Sequence, residues 1–263
     1  RMTGRFLRTT ALALAAGAAP IAAQAEVKVG SVAGVTGPIA ELLAEVVEGR
    51  ELAASHVHDQ GGMFDGEDFT LVLADSACDP KAAVDAGNKV VNVDQVTAIV
   101  GPNCSGATNG MVQAVTIPSG VVSISDSATA PSISALDDND LVFRVAASDA
   151  YQGVALAELA RERGFETVAV TYANDDYNAG LAAAFVKAYE EMGGEVVANQ
   201  AHEPEKASYR AEAATLGGAG ADALALFAYY GSSGITIIRN MLELGLMDTF
   251  MGADGMVHEQ LIA

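Results

Sequence analysis

Short apolar runs that do not alternate with polar residues, each followed by a stretch of helical spacing, constrain this chain more than any other feature. Residues 69–74 and 97–100 are of this kind, 27–32 and 121–125 are apolar-rich strands broken by Lys28, Ser31, Ser123 and Ser125, and the spacing predicts helices over 39–58, 81–93 and 107–115 between and beside them. A strand with one face in water alternates apolar with polar residues. A strand covered on both faces need not, and double coverage marks a parallel sheet with helices packed on it. The rhythm restarts after the polar stretch Asp137-Asp138-Asn139-Asp140, with strands at 141–145, 167–172, 195–199, 223–228 and 249–251 and helices at 150–163, 179–192, 209–216 and 233–244. The fold class is therefore α/β, arranged as two lobes joined near 145–149, each a mostly parallel sheet flanked by helices. Ligands of open α/β sheets sit beyond the carboxyl ends of the strands. The loops to watch are 33–38, 101–106, 125–131, 173–178, 229–233 and 252–256.

Composition narrows the function classes. The 263 residues are enough for two lobes of ~100–150 residues each. Hydrophobic residues make up 51% and charged residues 18%, which excludes a disordered chain. The 34 Asp and Glu outnumber the 14 Lys and Arg, for a net charge of −20, so no basic patch exists to neutralise a phosphate backbone or dock on anionic lipid. At the start, Arg5 and Arg8 precede an apolar run from Ala11 to Ala23, and Ala23-Gln24-Ala25 fits a small-x-small cleavage pattern. These are the parts of a secretory signal peptide. The apolar run is shorter than the ~20 residues a membrane span needs. The expectation is an exported, periplasmic protein cleaved between Ala25 and Glu26, with no inserted membrane segment. In an oxidising compartment the two cysteines, Cys78 and Cys104, are expected to form a disulfide.

Catalytic signals are weak. No His-Glu-x-x-His, Gly-x-Ser-x-Gly or Walker loop occurs, and His56 and His58, two apart on a predicted helix, point in different directions. Neither enzyme activity, a cofactor nor a metal is expected. The loop Gly101-Pro102-Asn103-Cys104-Ser105-Gly106 follows a strand and opens a helix, where backbone N–H groups and a hydroxyl either receive an anion or simply cap the helix. Ser125, Ser127 and Thr129 follow the next strand. In the second lobe, Asp176-Tyr177, Tyr229-Tyr230 and Gly252-Ala253-Asp254-Gly255 follow strands that would face these loops across a cleft. Hydroxyls on one wall and Asp254 on the other suit a zwitterion carrying a carboxylate and an ammonium.

Along these residues the sequence resembles the periplasmic branched-chain amino-acid-binding proteins, the leucine/isoleucine/valine-type solute receptors of ABC importers. The resemblance runs through Val27-Lys28-Val29-Gly30 with Thr36-Gly37-Pro38, Asp75-Ser76-Ala77-Cys78-Asp79-Pro80, and Gly101-Pro102 with Cys104-Ser105. It continues through Ser127-Ala128-Thr129-Ala130-Pro131, Phe143-Arg144, Asp149 with Gln152-Gly153, Asp176-Tyr177 with Gly180, and Gly252-Ala253-Asp254-Gly255. It implies a type I periplasmic-binding-protein fold that closes on its ligand, with 1–25 as signal peptide, 26–146 as lobe 1, 147–251 as lobe 2 and 252–263 as the start of a return crossover. The family runs on by roughly another hundred residues, so the C-terminal portion is expected to be missing. Ser105, Ser127 and Thr129 would hold an α-carboxylate and help with the amine. Ala128 would line the pocket through backbone and methyl, Tyr177 and one of Tyr229 or Tyr230 (with Tyr229 preferred) would contact the ligand from lobe 2, and Asp254 would take the ammonium. Many members carry Glu where Asp254 stands, and several carry an aromatic residue where this chain has Leu42. The implied partners are an amino acid, most simply an aliphatic one, and a membrane permease, with the protein itself a monomer. An amide, a urea, an aromatic acid or a sensory role is the alternative on the same fold.

Overall fold

Every strand pairing among the described residues is parallel, as the non-alternating runs require. The structure, a computed structural model, describes residues 27–62 and 69–261; the expected signal peptide at 1–25 lies outside the described residues. The first half runs β1 (Val27–Ala33), α1 (Ala40–Asp59), β2 (Phe69–Asp75), α2 (Pro80–Asn88), β3 (Ala98–Val100), α3 (Ser105–Met111), α4 (Ile117–Ser119), β4 (Val122–Ser125) and β5 (Val142–Arg144). Its five strands lie in the order β2-β1-β3-β4-β5. The second half runs α5 (Asp149–Glu162), β6 (Thr167–Ala173), α6 (Asp176–Glu191), β7 (Glu195–His202), α7 (Arg210–Gly217), β8 (Ala223–Phe227), α8 (Ile235–Leu244) and β9 (Phe250–Gly252), with the four strands ordered β7-β6-β8-β9.

Local chemistry explains the boundaries. Asp79 accepts a hydrogen bond from the Ala82 N–H at 2.8 Å with Pro80 directly after it, an N-cap followed by the residue best suited to a first turn. Asp175 caps α6 in the same way, through the Asn178 N–H at 2.9 Å. The helix expected over 107–115 is longer than that. It begins at Ser105 and continues through a π-helical turn, Val112–Thr116, into α4. Pro118 signals a break by propensity; the helix runs past it only as far as Ser119 and ends at Gly120, whose φ is +68°. The strand expected over 195–199 reaches His202, because pairing with β6 outweighs the poor strand propensity of Asn199 and Gln200.

The core of each half lies between its sheet and the helices. In the first, Val32 and Ile99 of the sheet meet Ala83, Val90 and Met111. In the second, Val168, Val170 and Phe227 meet Leu181 and Phe185. α5 and α6 pack most closely where Gly153 stands, since a Cβ there would come within 2.6 Å of the Ala184 Cβ.

Strand order fixes where a ligand can sit. β1 lies between β2 and β3, so the chain leaves β1 on one side and returns on the other, and the loops after β1 and β3 part to open a crevice. In the second sheet β6 stands between β7 and β8, and the same happens after β6 and β8. Gly101 lets the loop after β3 pass close over β1: its φ is +103°, and a Cβ there would come within 2.0 Å of the Val32 carbonyl oxygen.

Candidate functional site

The loops beyond these strand ends enclose a cavity of about 180 Å³. Ser105, Ser127 and Thr129 line it from the first half, and Tyr177, Tyr229 and Asp254 from the second. A wall of aliphatic side chains, Ile39, Leu42, Leu43 and Val46, completes it from α1 and the residue before it. Six of the seven residues expected to touch a ligand therefore meet in one place. Ala128 does not line the cavity. It is fully buried against Ala130 and Ile133, and its N–H donates to Ser125 Oγ at 3.0 Å, because the loop must turn that residue inward to satisfy its backbone.

One pole of the cavity is built from hydroxyls. Ser105 does not cap its helix. Cys104 occupies the cap position, and Ser105 Oγ instead accepts hydrogen bonds from the Thr129 N–H at 3.2 Å and the Ala130 N–H at 3.1 Å. With both bonds accepted, its own proton remains for an incoming acceptor. The start of α3 adds its positive helix end. The disulfide Cys78–Cys104, with its Cα atoms 5.4 Å apart, ties this loop to the loop after β2.

The opposite pole is acidic. Asp254 Oδ1 accepts from Tyr177 Oη at 2.6 Å and from Gln152 Nε2 at 2.9 Å, so Oδ2 is left for another donor. Tyr177 Oη accepts in turn from the Gly255 N–H at 3.2 Å, which fixes its proton toward Asp254. The Tyr177 ring stacks on Tyr229, centroids 5.1 Å apart and 21° between planes. Tyr230 turns away and stacks on His258 at 3.8 Å, which places Tyr229, not its neighbour, on the cleft. Burial, with Asp254 beside it, pushes the Tyr177 phenol up, and burial among Asp175, Asp254 and Asp149 does the same to Tyr229, so both stay neutral donors. Asp149, at the start of α5, is buried behind Thr129 with Oδ2 unpartnered. Burial raises its carboxyl to about 6; the Thr129 hydroxyl and Arg144 pull it down and nearby Asp254 pushes it up.

An ion pair between buried Arg50 and half-buried Asp126 underlies the hydroxyl pole, and sequence reasoning missed it. From α1, Arg50 donates through Nε (2.9 Å) and Nη2 (2.6 Å) to Asp126 Oδ2, and through Nη1 to Ser31 Oγ and the Val32 carbonyl, each at 3.1 Å. Asp126 Oδ1 accepts from Asn103 Nδ2 at 2.7 Å, and Asn103 Oδ1 accepts from the Gly34 N–H at 3.3 Å. Ser127 Oγ donates to the Asn103 carbonyl at 3.2 Å. One guanidinium thus locks the ends of β1, β3 and β4 in register. Asp126 adjoins the hydroxyl loop, but nothing local marks Arg50, 76 residues away. Among the described residues no group of three or more His, Cys, Asp or Glu side chains could hold a metal ion.

Residues 26–263 match the family of periplasmic binding proteins. The leucine-, isoleucine-, valine-, threonine- and alanine-binding protein of Pseudomonas aeruginosa is 31% identical over 263 residues, covering 99% of this chain and 69% of that protein. Among solved structures, a leucine-binding protein LivK from Thermotoga maritima superposes with a TM-score of 0.80 at 25% identity, over 90% of this chain and 65% of its own. The branched-chain amino-acid transporter substrate-binding protein LivJ from Streptococcus pneumoniae, in complex with isoleucine, gives a TM-score of 0.78 at 26% identity, over 90% of this chain and 66% of its own. The chain thus spans about two thirds of the length of these relatives.

Proposed function

Because this chain belongs to the periplasmic binding protein family, we propose that it captures an aliphatic amino acid between its two lobes and presents it to an ABC-transporter permease. The observation that carries this reading is the polarity of the cavity: hydroxyls at one end, the free Oδ2 of Asp254 at the other and an aliphatic wall from α1 alongside. Ser105 receives the carboxylate with its free proton, and Ser127 and Thr129 join it by turning their hydroxyls from the Asn103 carbonyl and from Asp149. Asp254, held by Tyr177 and Gln152, receives the ammonium, and Ile39, Leu42, Leu43 and Val46 pack against the side chain. A cavity of about 180 Å³ suits a single small amino acid. Four or five charge-assisted hydrogen bonds at roughly 1.5–3 kcal/mol each, less desolvation and closure, leave ~8 kcal/mol, a micromolar dissociation constant.

The lobes in this reading are 26–146 and 147–251, with 252–263 beginning the return toward the first. The protein works as an exported monomer, cleaved after Ala25, and catalyses no reaction. No helix among the described residues is long and apolar enough to cross a membrane. An amide or aromatic acid is the less favoured ligand, because without an amine it leaves Asp254 facing nothing cationic.

Isothermal titration calorimetry on protein stripped of bound solute by unfolding and refolding tests this directly. Leucine, isoleucine and valine are expected to bind at micromolar or tighter affinity, and glutamate, benzoate and acetamide weakly or not at all. Binding of only the last group would overturn the amino-acid reading and leave the fold untouched.

A further inference from the structure

Outside the cavity, several polar contacts among the described residues join the two lobes, the Tyr230 hydroxyl with Glu41 and the Asp149 N–H with the Thr129 carbonyl among them, and one is made by a buried amide. Asn109, one turn along α3 from the cavity-lining Ser105 and on the same helix face, is buried and spans the gap with its amide. Its Nδ2 donates to Asp176 Oδ2, in the first turn of α6, at 2.7 Å and to Ser132 Oγ at 2.9 Å. Asp176 can only accept, so the amide orientation is dictated by chemistry. The two lobes approach closely on both sides of the cleft. On this side, a Cβ at Gly180 of α6 would come within 3.0 Å of Pro131 Cδ, and one at Gly106 of α3 would lie 4.0 Å from Asp176 Cβ. On the far side, a Cβ at Gly231 would lie 2.7 Å from the Pro38 carbonyl oxygen. Larger side chains at these glycines would hold the lobes apart.

None of these groups lines the amino-acid cavity. We infer that Asn109, Asp176 and Ser132 form a clasp that sets ligand affinity without touching ligand, by stabilising the closed arrangement of the two lobes. The inference deepens the solute-binding reading and rests on it. Affinity for a receptor that must close is reduced by the fraction of molecules not closed, whatever the ligand. A clasp made only on closing therefore scales every ligand's affinity by one factor and leaves their ratios alone. It also slows release more than it speeds capture, because the bond forms after the ligand has entered.

The test is a double-mutant cycle of Asn109→Ala and Asp176→Ala, read by leucine and valine dissociation constants and by the leucine release rate, with small-angle X-ray scattering of the unliganded protein alongside. Each single variant is expected to weaken both amino acids about three- to ten-fold, with the leucine-to-valine ratio unchanged and faster release accounting for most of the loss. The double variant is expected to be no weaker than the worse single one, because both remove the same bond. Asn109→Asp sets two carboxylates face to face; it is expected to weaken binding further and to expand the unliganded protein. Asp176→Asn keeps an acceptor oxygen and is expected to recover most of the affinity. Should Asn109→Ala fail to fold, Asp176→Ala and Ser132→Ala, both at exposed positions, carry the test. Single-variant affinities within twofold of the parent, fully multiplicative losses, or an altered leucine-to-valine ratio would each overturn the clasp. If the parent binds no amino acid at all, the solute reading fails instead, and the scattering of Asn109→Asp still decides the clasp: expansion supports it, and an unchanged radius refutes it.

Discussion

Asp254→Asn isolates the charge that the zwitterion reading depends on. The substitution keeps the side-chain volume and an Oδ1 able to accept from Tyr177 and Gln152, so the second-lobe wall stays in place. It replaces Oδ2 with an amide nitrogen, turning an acceptor for the ammonium into a second donor. Asp254 faces solvent in the cleft, so its attraction for an ammonium about 3 Å away lies between roughly 1.4 kcal/mol at the dielectric of water and roughly 5.5 at an effective dielectric of 20. After desolvation the expected loss is about 2 kcal/mol, a ~30-fold weaker dissociation constant. The assay is calorimetric titration of leucine into parent and variant, with 4-methylpentanoate, which is leucine without its amine, as the control. The variant is expected to lose leucine and to bind 4-methylpentanoate at least as well as the parent. Leucine binding within threefold of the parent would refute the ammonium role, and equal losses for both ligands would show that the substitution damaged the pocket rather than the charge.

Three further expectations concern the frame around the site. Arg50→Met leaves the half-buried Asp126 without its cationic partner; the expected destabilisation is about 2–3 kcal/mol, below that of a fully buried pair, or a fall of roughly 5–10 °C in the thermal midpoint, seen by differential scanning calorimetry. Asp149 binds its proton more tightly folded, at about 6, than at the ordinary carboxylate value of 3.8 in the unfolded chain. Stability contributed by this residue is therefore present below pH 4 and lost as pH rises to about 6, so denaturant midpoints of Asp149→Asn measured across that window should gain on the parent, and a constant difference would refute the assignment. Replacing Cys78 and Cys104 together by Ser opens a loop with a sequence separation of 26 and is expected to remove about 3.5 kcal/mol in the chain-entropy model, with the parent matching the variant once reduced.

Much of this molecule was legible along the chain because parallel sheets announce themselves locally. Fully buried β8 reads as an unbroken apolar run, the other strands as apolar-rich stretches, and the switch between strand and helix periods marked each βα unit to within a few residues. Errors came where tertiary pairing overruled propensity, as in the extension of β7 to His202 and the passage of the α3 helix through a π turn to Ser119. Six cavity residues could be named in advance because strand ends marked the loops and the resemblance to branched-chain amino-acid-binding proteins picked the residues within them. Ala128 lies outside the cavity lining because alternate residues of a turning loop face opposite ways, and no sequence rule told which of Ser127, Ala128 and Thr129 would turn inward.

The sequence by itself determined the layer architecture, the acidic character and the chemical poles of the cavity, since these follow from residue type and position along a strand–helix repeat. Tertiary structure alone decided what joins distant segments. It chose Tyr229 over Tyr230 by stacking the former on Tyr177, and it aimed Gln152 at Asp254. It buried Arg50 against Asp126 and brought Asn109 across to Asp176. Pairings of that kind depend on how two sheets and their helices approach in space, and a hydrogen bond between residues 67 or 76 positions apart leaves no trace in the local pattern of either one.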